Sequence, residues 1–411
     1  MPIASSGTVS LSDFRSEFVG GSGAVSLGDL YRGGSNVRSK AANNTATNLA
    51  ASVPTSGAID FADFYGAAKG FRKTYSATAT NQNASSVFGD DYGVNYPKEI
   101  IINSGVELGA TTTGEEALQI DSGLAGDLTV TNNGTLSGAG GAASGGAGGD
   151  AFEANVACTL INNGTIRAGG GGGGSGGSGG NGGTGGGGQY TAIGSYTGYQ
   201  SPFQNYHNYG WETRHATSSN SYRVAIYWGG LVGYSAYQGS GNWPAVNGIT
   251  ELVIGSYRYN KGSRAYSGVA PEEENFYIRR RSESLQNTNG GGGGAGGSGG
   301  AGGRGQGYNH GNLNGSGGSG GANGAGGGTN AGAGGQGGAG GTGGNGGGYG
   351  AAGGNGSSGA NGNTGANGNR TNGSAGSGGS GGATGGAAGK YIRGLSNITF
   401  TNNGTVQGGT A

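Results

Sequence analysis

Residues 169–188 read GGGGGGSGGSGGNGGTGGGG. Sixteen of these twenty are Gly, and the exceptions, Ser175, Ser178, Asn181 and Thr184, fall at every third position. The same phase returns within 290–389, at Ala295, Ser298, Ala301 and Arg304, at Ser316, Ser319, Ala322 and Ala325, at Gln336, Ala339, Thr342 and Asn345, and at Ser374, Ser377, Ser380 and Ala383. Over 356–368 the pattern inverts, and Gly356, Gly359, Gly362, Gly365 and Gly368 become the every-third residue. A period of three is that of the extended left-handed helix, which has about 3.1 Å of rise per residue and no internal hydrogen bonds. Two Gly per turn leave two faces bare, so neighbouring backbones can approach and satisfy one another's N–H and C=O groups laterally. A flexible linker requires no phase. Ordering so much Gly is entropically unfavourable, and only many lateral bonds offset it. The reading is a polyglycine-II bundle over 169–188 and 290–389, with Ser, Ala, Thr and Asn on its outside.

Working outward, residues 71–168 read as a β-rich base in which turn signals punctuate apolar alternation. A repeat runs through it: Ile101-Ile102-Asn103-Ser104-Gly105-Val106, Val130-Thr131-Asn132-Asn133-Gly134-Thr135-Leu136 and Ile161-Asn162-Asn163-Gly164-Thr165-Ile166. A last copy, Phe400-Thr401-Asn402-Asn403-Gly404-Thr405-Val406, lies near the C-terminus. Asn-Gly between apolar residues is a strong hairpin signal. Its recurrence also suits a β-solenoid that reuses one corner in successive coils. Both readings stay open here. In either, residues 390–411 return to the base as a C-terminal strand, and the glycine runs are excursions from it.

Residues 1–70 carry a threefold pattern: Val9-Ser10-Leu11-Ser12-Asp13-Phe14, Val25-Ser26-Leu27-Gly28-Asp29-Leu30 and Ile59-Asp60-Phe61-Ala62-Asp63-Phe64. Ser or Asp three residues before Asp resembles a capping box with Asp in the Glu role. Each unit reads as a turn feeding a short helix, with Phe14, Phe18, Leu30, Tyr31, Phe64 and Tyr65 packing together. So small a core suggests support from a partner surface, and these six residues are the candidates for attachment.

Residues 189–289 interrupt the glycine with ordinary globular composition. All three Trp (Trp211, Trp228, Trp243) and 13 of the 21 Tyr lie there. Alternation marks strands over 222–228, 251–259 and 275–281, so a β-sandwich-like inserted domain at the far end or side of the bundle is expected. Tyr and Trp give stiff contact area with a polar tip. Tyr196, Tyr199, Tyr206, Tyr209, Trp211 and Trp243 are therefore the candidate receptor contacts. Arg279-Arg280-Arg281 reads either as an anion contact or as a solvated strand end facing Glu272-Glu273-Glu274.

Catalytic chemistry is thinly supported. His207 and His215 flank Glu212 without a metalloprotease or triad pattern. Glu212, Glu251 and Glu283 are carboxylates of the kind glycoside hydrolysis needs, but nothing arranges them. Cys158 sits in an apolar strand-like stretch and reads as structural. No catalytic, cofactor or metal residue is assigned, and the expectation is a protein that is not an enzyme. Composition narrows the classes further. The chain has 411 residues, 110 of them Gly, with 21 Lys+Arg against 21 Asp+Glu, six Pro and one Cys. Zero net charge argues against a nucleic-acid binder. One Cys excludes a disulfide framework. Few Pro exclude collagen, and no apolar run of about 20 residues exists to span a bilayer as a helix. The start shows no basic and apolar secretory signal.

The N-terminal units resemble a short repeat at the start of phage structural proteins. Asn132-Asn133-Gly134-Thr135-Leu136 followed by glycine runs, and closed by Ala388-Gly389-Lys390-Tyr391-Ile392-Arg393-Gly394, is similar to glycine-rich tail-tip proteins of tailed bacteriophages. The chain also resembles the long-tail-fibre tip adhesins of T-even-like phages, which share the polyglycine bundle and the presentation of variable receptor-binding segments; the resemblance covers about 1–65, 100–188 and 290–411. The resemblance implies a virion protein of the phage tail, assembled in the host cytoplasm. It would bind other tail proteins through 1–70 and a host-surface glycan or outer-membrane protein at its far end, with no cofactor and with monomer and homotrimer both open. In those adhesins the variable segments are short loops between glycine runs, whereas here a whole domain is inserted. A purely structural virion role, as a head-decoration or collar fibre, is the competing expectation.

Overall fold

A computed structural model describes residues 2–200, 209–216, 221–229, 231–238, 250–267 and 273–411. The molecule is mainly β, with several sheets. Three of them run side by side and share one repeat. Strands Phe71–Tyr75, Lys98–Ile102, Leu128–Asn132, Cys158–Asn162 and Ile398–Asn402 are neighbours in the first sheet, every pair parallel. Strands Glu107–Gly109, Thr135–Ser137, Thr165–Arg167 and Thr405–Gln407 follow in the second, and Leu118–Ile120, Phe152–Ala154 and Lys390–Arg393 in the third. Apolar residues stack in columns through each sheet. Ile100, Val130, Leu160 and Phe400 pair in one column, Leu108, Leu136, Ile166 and Val406 in another, and Leu118, Phe152 and Ile392 in the third. Together they form the main core.

Parallel pairing overturns the hairpin reading of the Asn-Gly repeats. Gly134, Gly164 and Gly404 lack the positive φ that a type I′ turn would require of them. They are glycines because of crowding: a Cβ on Gly164 would lie 2.0 Å from the Gly134 carbonyl oxygen, and one on Gly404 2.0 Å from that of Gly164. The first Asn of each Asn-Asn pair forms a ladder that is buried at Asn132 and Asn162. Asn132 Nδ2 donates to Asn162 Oδ1 at 2.8 Å, and Asn162 Nδ2 to Asn402 Oδ1 at 2.7 Å.

The chain leaves this base after Thr165–Arg167 and rejoins it at Lys390–Arg393. Between those points lie six extended runs: 169–187, 290–306, 313–327, 331–348, 351–368 and 371–389. Their backbones bond laterally with a period of three. Gly176, Gly179, Gly182 and Gly185 donate at 2.8 Å to the carbonyls of Gly300, Gly297, Gly294 and Gly291. Gly335, Gly338 and Gly341 of the fourth run donate back to Gly183, Gly180 and Gly177. The adjacency read from these bonds is two layers of three. The first and fourth runs each border four others, and the third and sixth each border two. That explains the inverted phase over 356–368. Runs one and four need two bare faces per turn, whereas a peripheral run needs one. In the third run Gly315, Gly318, Gly321 and Gly324 face backbone, while Gly317, Gly320 and Gly326 meet nothing within 4 Å. Gln336, Ala339, Thr342 and Asn345 are exposed on the outside, as are Ser178, Asn181 and Thr184.

Arg393, at the end of the returning strand, enters a pocket of acids. Its guanidinium contacts Asp150, lies 3.5 Å from Glu153 and 4.0 Å from Glu116, all three of them buried. Burial first, and then the charge of Glu153, push the Glu116 carboxyl up to about 7. An acid raised in the folded state binds a proton there that the unfolded chain has already lost. Stability therefore falls as pH rises between the ordinary glutamate value and about 7. Glu116→Gln is expected to stabilise the chain by roughly 2 kcal/mol at pH 8 and to be near neutral at pH 4.5. Urea unfolding at the two pH values measures this, and equal shifts at both would refute it.

Residues 2–70 close the first-strand end of the base. Thr47–Asn48 pairs antiparallel with Phe71–Tyr75. Buried Asp91 accepts from Ala41 N (2.7 Å), Asn44 Nδ2 (2.9 Å) and Arg38 Nε (3.0 Å), tying the segment to the base. The three short helices, Leu11–Phe14, Leu27–Leu30 and Phe61–Phe64, start at capping boxes. Ser10 N and Oγ both donate to Asp13 at 2.7 Å, Ser26 N and Oγ to Asp29 at 2.8 Å, and Asp60 N to Asp63 at 2.9 Å.

Candidate functional site

Strands Gly188–Ile193 and Glu273–Thr288 pair antiparallel, starting from Gly188 opposite Thr288. They form a neck where the glycine runs end. Two turns of the runs clamp it: Thr288 Oγ1 donates to Thr329 O at 2.6 Å, and the side chains of Asn330 and Asn369 donate to Gln189 O at 3.1 and 2.8 Å. The opposite turns sit on the base, where Asn309 Nδ2 donates to Thr111 O at 2.8 Å and Gly350 N to Ala168 O at 2.9 Å.

Beyond the neck, strands Tyr209–Ala216, Ser221–Trp228, Leu231–Gln238, Glu251–Ile254 and Tyr257–Ser267 join the two neck strands in one seven-stranded antiparallel sheet. This corrects the sandwich expectation, since no second sheet faces it among the described residues. The stretch 251–259 is two strands rather than one. Gly255 takes φ +60° and turns the chain, leaving Ile254 opposite Tyr257.

The two faces of the long strand differ because side chains alternate along it. Phe276 and Ile278 are buried with Trp211, Ile226 and Tyr259. Arg280, on that side, stacks on Trp228 and Tyr257 at 4.5 and 4.2 Å from the ring centroids. Arg279, Arg281 and Glu283 occupy the other face. Backbone bonds lay residues 194–200 along this strand: Gly194 N donates to Ser282 O, Thr197 N to Arg280 O and Gln200 N to Ile278 O. Tyr196 and Tyr199 thereby come over the arginines. The Arg279 guanidinium lies 4.3 Å from the Tyr196 ring and 4.8 Å from the Tyr199 ring, and Arg281 lies 4.7 Å from Tyr196. Arg258 holds Glu251 at 2.7 Å and Glu283 at 2.5 Å, and Arg281 reaches Glu283 at 3.2 Å. Tyr196 Oη donates to Glu251 at 3.0 Å.

The electrostatics follow from these contacts. The Arg258 hydrogen bond holds Glu283 below the usual carboxylate range. Burial would raise Glu251, but its bonds to Arg258 and Tyr196 outweigh that and lower it. Burial, then the bond to Glu251, raises the Tyr196 hydroxyl. Glu251 and Glu283 are thus committed to Arg258 rather than facing a substrate. Cys158 is buried and its thiol is pushed up to about 11, which suits packing and not nucleophilic attack.

The expected contact residues separate. Tyr196 and Tyr199 lie together on the open face, and Tyr199 is 47% exposed. Trp211 is fully buried at the centre of the sheet's core, because its strand position places it opposite Phe276; it is corrected from a surface residue to a core residue. Tyr209 opens its strand opposite Trp228. Tyr206, Trp243 and His207 lie outside the described residues. Arg279 and Arg281 are engaged by rings and by Glu283, while Glu272 of the expected acidic partner lies outside the described residues. Ile193 and Leu285, exposed at 57% and 67% on the neck, were not singled out by composition.

At the other end, Phe14, Phe18, Leu30 and Phe64 are buried within 2–70 itself, with Phe14 and Phe64 stacked at 4.3 Å. They are corrected from attachment contacts to core residues, since their rings are consumed inside the segment. Tyr31 and Tyr65 remain part-exposed, tied by their hydroxyls to the carbonyls of Gly57 and Gly7. Phe61 and Tyr65 are each 38% exposed.

No curated protein and no solved structure matches the chain. The family model described as phage tail fibre adhesin Gp38 matches residues 70–279, from the first strand of the base through the first glycine run and most of the inserted sheet. With just over half of its 411 residues matched, and with that match crossing base, glycine run and insert without a break, the protein belongs to the phage tail fibre adhesin Gp38 family.

Proposed function

We propose that this virion protein is the receptor-binding tip of a tail fibre and that it carries no enzymatic activity. In this reading residues 1–70 attach it to another tail protein through surface residues such as Phe61 and Tyr65. Residues 71–168 and 390–411 form a β-solenoid base, and the runs in 169–188 and 290–389 are polyglycine-II helices acting as a stiff spacer. Residues 189–289 then meet a host-surface glycan or outer-membrane protein.

The observation that carries the proposal is the placement of the neck. The insert leaves from the end of the runs opposite the base, clamped by Asn330 and Asn369. A run such as 171–186 separates the two ends by on the order of 50 Å. A preorganised spacer limits the entropy lost on engagement. Because Gly188 and Thr288 are already paired, residues 190–287 can be replaced by an Asn-Gly turn with the neck still closed. The full chain is expected to compete with phage adsorption to host cells. The shortened chain is expected to lose that competition while still entering virions. Undiminished competition would refute the contact role and favour a structural one.

A further inference from the structure

We propose that the Arg279–Tyr196–Tyr199 face binds a saccharide bearing an oxyanion, a carboxylate or a phosphate, with the sugar ring on Tyr199 and the anion on Arg279. The inference rests on the receptor-binding reading above and names the chemistry of that contact.

The first support is charge. Among the described side chains, three guanidinium groups, Arg258, Arg279 and Arg281, share this face with two carboxylates, Glu251 and Glu283, which leaves one positive charge over. The ion pairs locate it. Arg258 and Arg281 engage the two glutamates, whereas Arg279 has no carboxylate within ion-pair distance among the described residues. Its one protein hydrogen bond there is a weak neutral one, Nε to Asn260 Oδ1 at 3.3 Å.

The second support is geometry. Both Tyr196 and Tyr199 stack on the Arg279 guanidinium, which fixes its plane and leaves the terminal N–H groups at its edge as donors. A guanidinium edge presents the fork that carboxylate and phosphate oxygens accept in pairs. Tyr199 is 47% exposed, so one side of its ring is open to an apolar sugar face beside the charge. Its hydroxyl and Arg279 share Asn260 Oδ1, the former at 3.5 Å, so ring and cation move as one unit. The neighbouring Arg258 network holds this arrangement without using any Arg279 donor.

The test uses the full-length chain and isothermal titration with four probes: a glucuronate-containing oligosaccharide, glucose 6-phosphate, glucose and inorganic phosphate. Glucuronate or phosphorylated sugar is expected to bind at least tenfold more tightly than glucose or free phosphate, and which of the two binds better identifies the oxyanion. Arg279→Gln is expected to weaken that binding at least tenfold. Tyr199→Ala, at an exposed ring, is expected to weaken it severalfold while leaving the unfolding midpoint unchanged. Equal binding of glucose, binding of free phosphate as tight as that of the sugar phosphate, or unchanged affinity in both variants would overturn the proposal. Adsorption competition separates the two readings. If the full chain competes but binds none of the anionic sugars, the saccharide inference fails and the adhesin reading stands.

Discussion

Gly179→Ala is expected to destabilise the glycine runs severely, whereas Gly317→Ala is expected to be neutral or mildly stabilising. A Cβ on Gly179 would sit 2.0 Å from the Gly338 carbonyl oxygen and 2.5 Å from its carbon, both backbone atoms of the facing run. Backbone cannot rotate away as a side chain can. Relief means sliding one run against four neighbours and breaking several of the 2.8 Å bonds that recur every third residue. Overpacking a close-packed site ordinarily costs about 1–3 kcal/mol, and this rigid geometry places the loss at the upper end or beyond, about 4 kcal/mol. Gly317 lies in the outward phase of the third run, with nothing within 4 Å of its added Cβ and no positive φ. There Ala restricts the unfolded chain without a clash and should contribute roughly 0.5 kcal/mol of stability. Urea unfolding of the two single variants measures the contrast. Equal effects would mean that the runs do not pack as described.

Asn162→Ala is expected to loosen the C-terminal strand, and Asn163→Ala is not. The two residues are adjacent, of one type, and both belong to ladders. Asn162 is fully buried, accepts from Asn132, and donates to Asn402 and to Thr405 O. Its removal takes away the partner of a buried amide on one side and the anchor of Ile398–Asn402 on the other. Leaving such groups unpaired costs about 2–3 kcal/mol. Asn163 bonds Asn133 and Asn403 at 2.9 and 3.0 Å in the open, where water replaces the lost bonds, and the change should stay within about 0.5 kcal/mol. Amide exchange over 398–407 should accelerate in Asn162→Ala alone. Matching exchange in the two variants would remove the ladder from the account of how the chain end is held.

Trp211 and Arg279 show how far the contact face could be read from residue order. The strand 275–281 was legible from alternation, and so was the concentration of Tyr in the insert. Alternation alone does not say which face is covered. Trp211 entered the core because it pairs with Phe276, and Arg279 came to lie under two tyrosine rings because residues 194–200 fold back along the strand. Both facts depend on pairings between residues 65 to 88 apart, which local periodicity does not encode. The phenylalanines of 1–70 were misplaced for a related reason. Three short capped turns look too small to bury anything alone, yet Phe14, Phe18, Leu30 and Phe64 converge because loops such as 50–53 and Ala67 complete their core.

Residue order by itself determined the three-residue phase, the capped N-terminal turns and the recurrence of Asn-Asn-Gly-Thr, since each is a local steric or hydrogen-bonding demand written within a few positions. Tertiary structure alone decided that the Asn-Gly corners stack in parallel, which runs border four others, and that Arg279 meets two tyrosine rings and, among the described residues, no carboxylate. Those outcomes depend on contacts between distant segments. At such contacts the same Gly is either indispensable or idle according to whether a neighbouring backbone occupies the space where its side chain would stand.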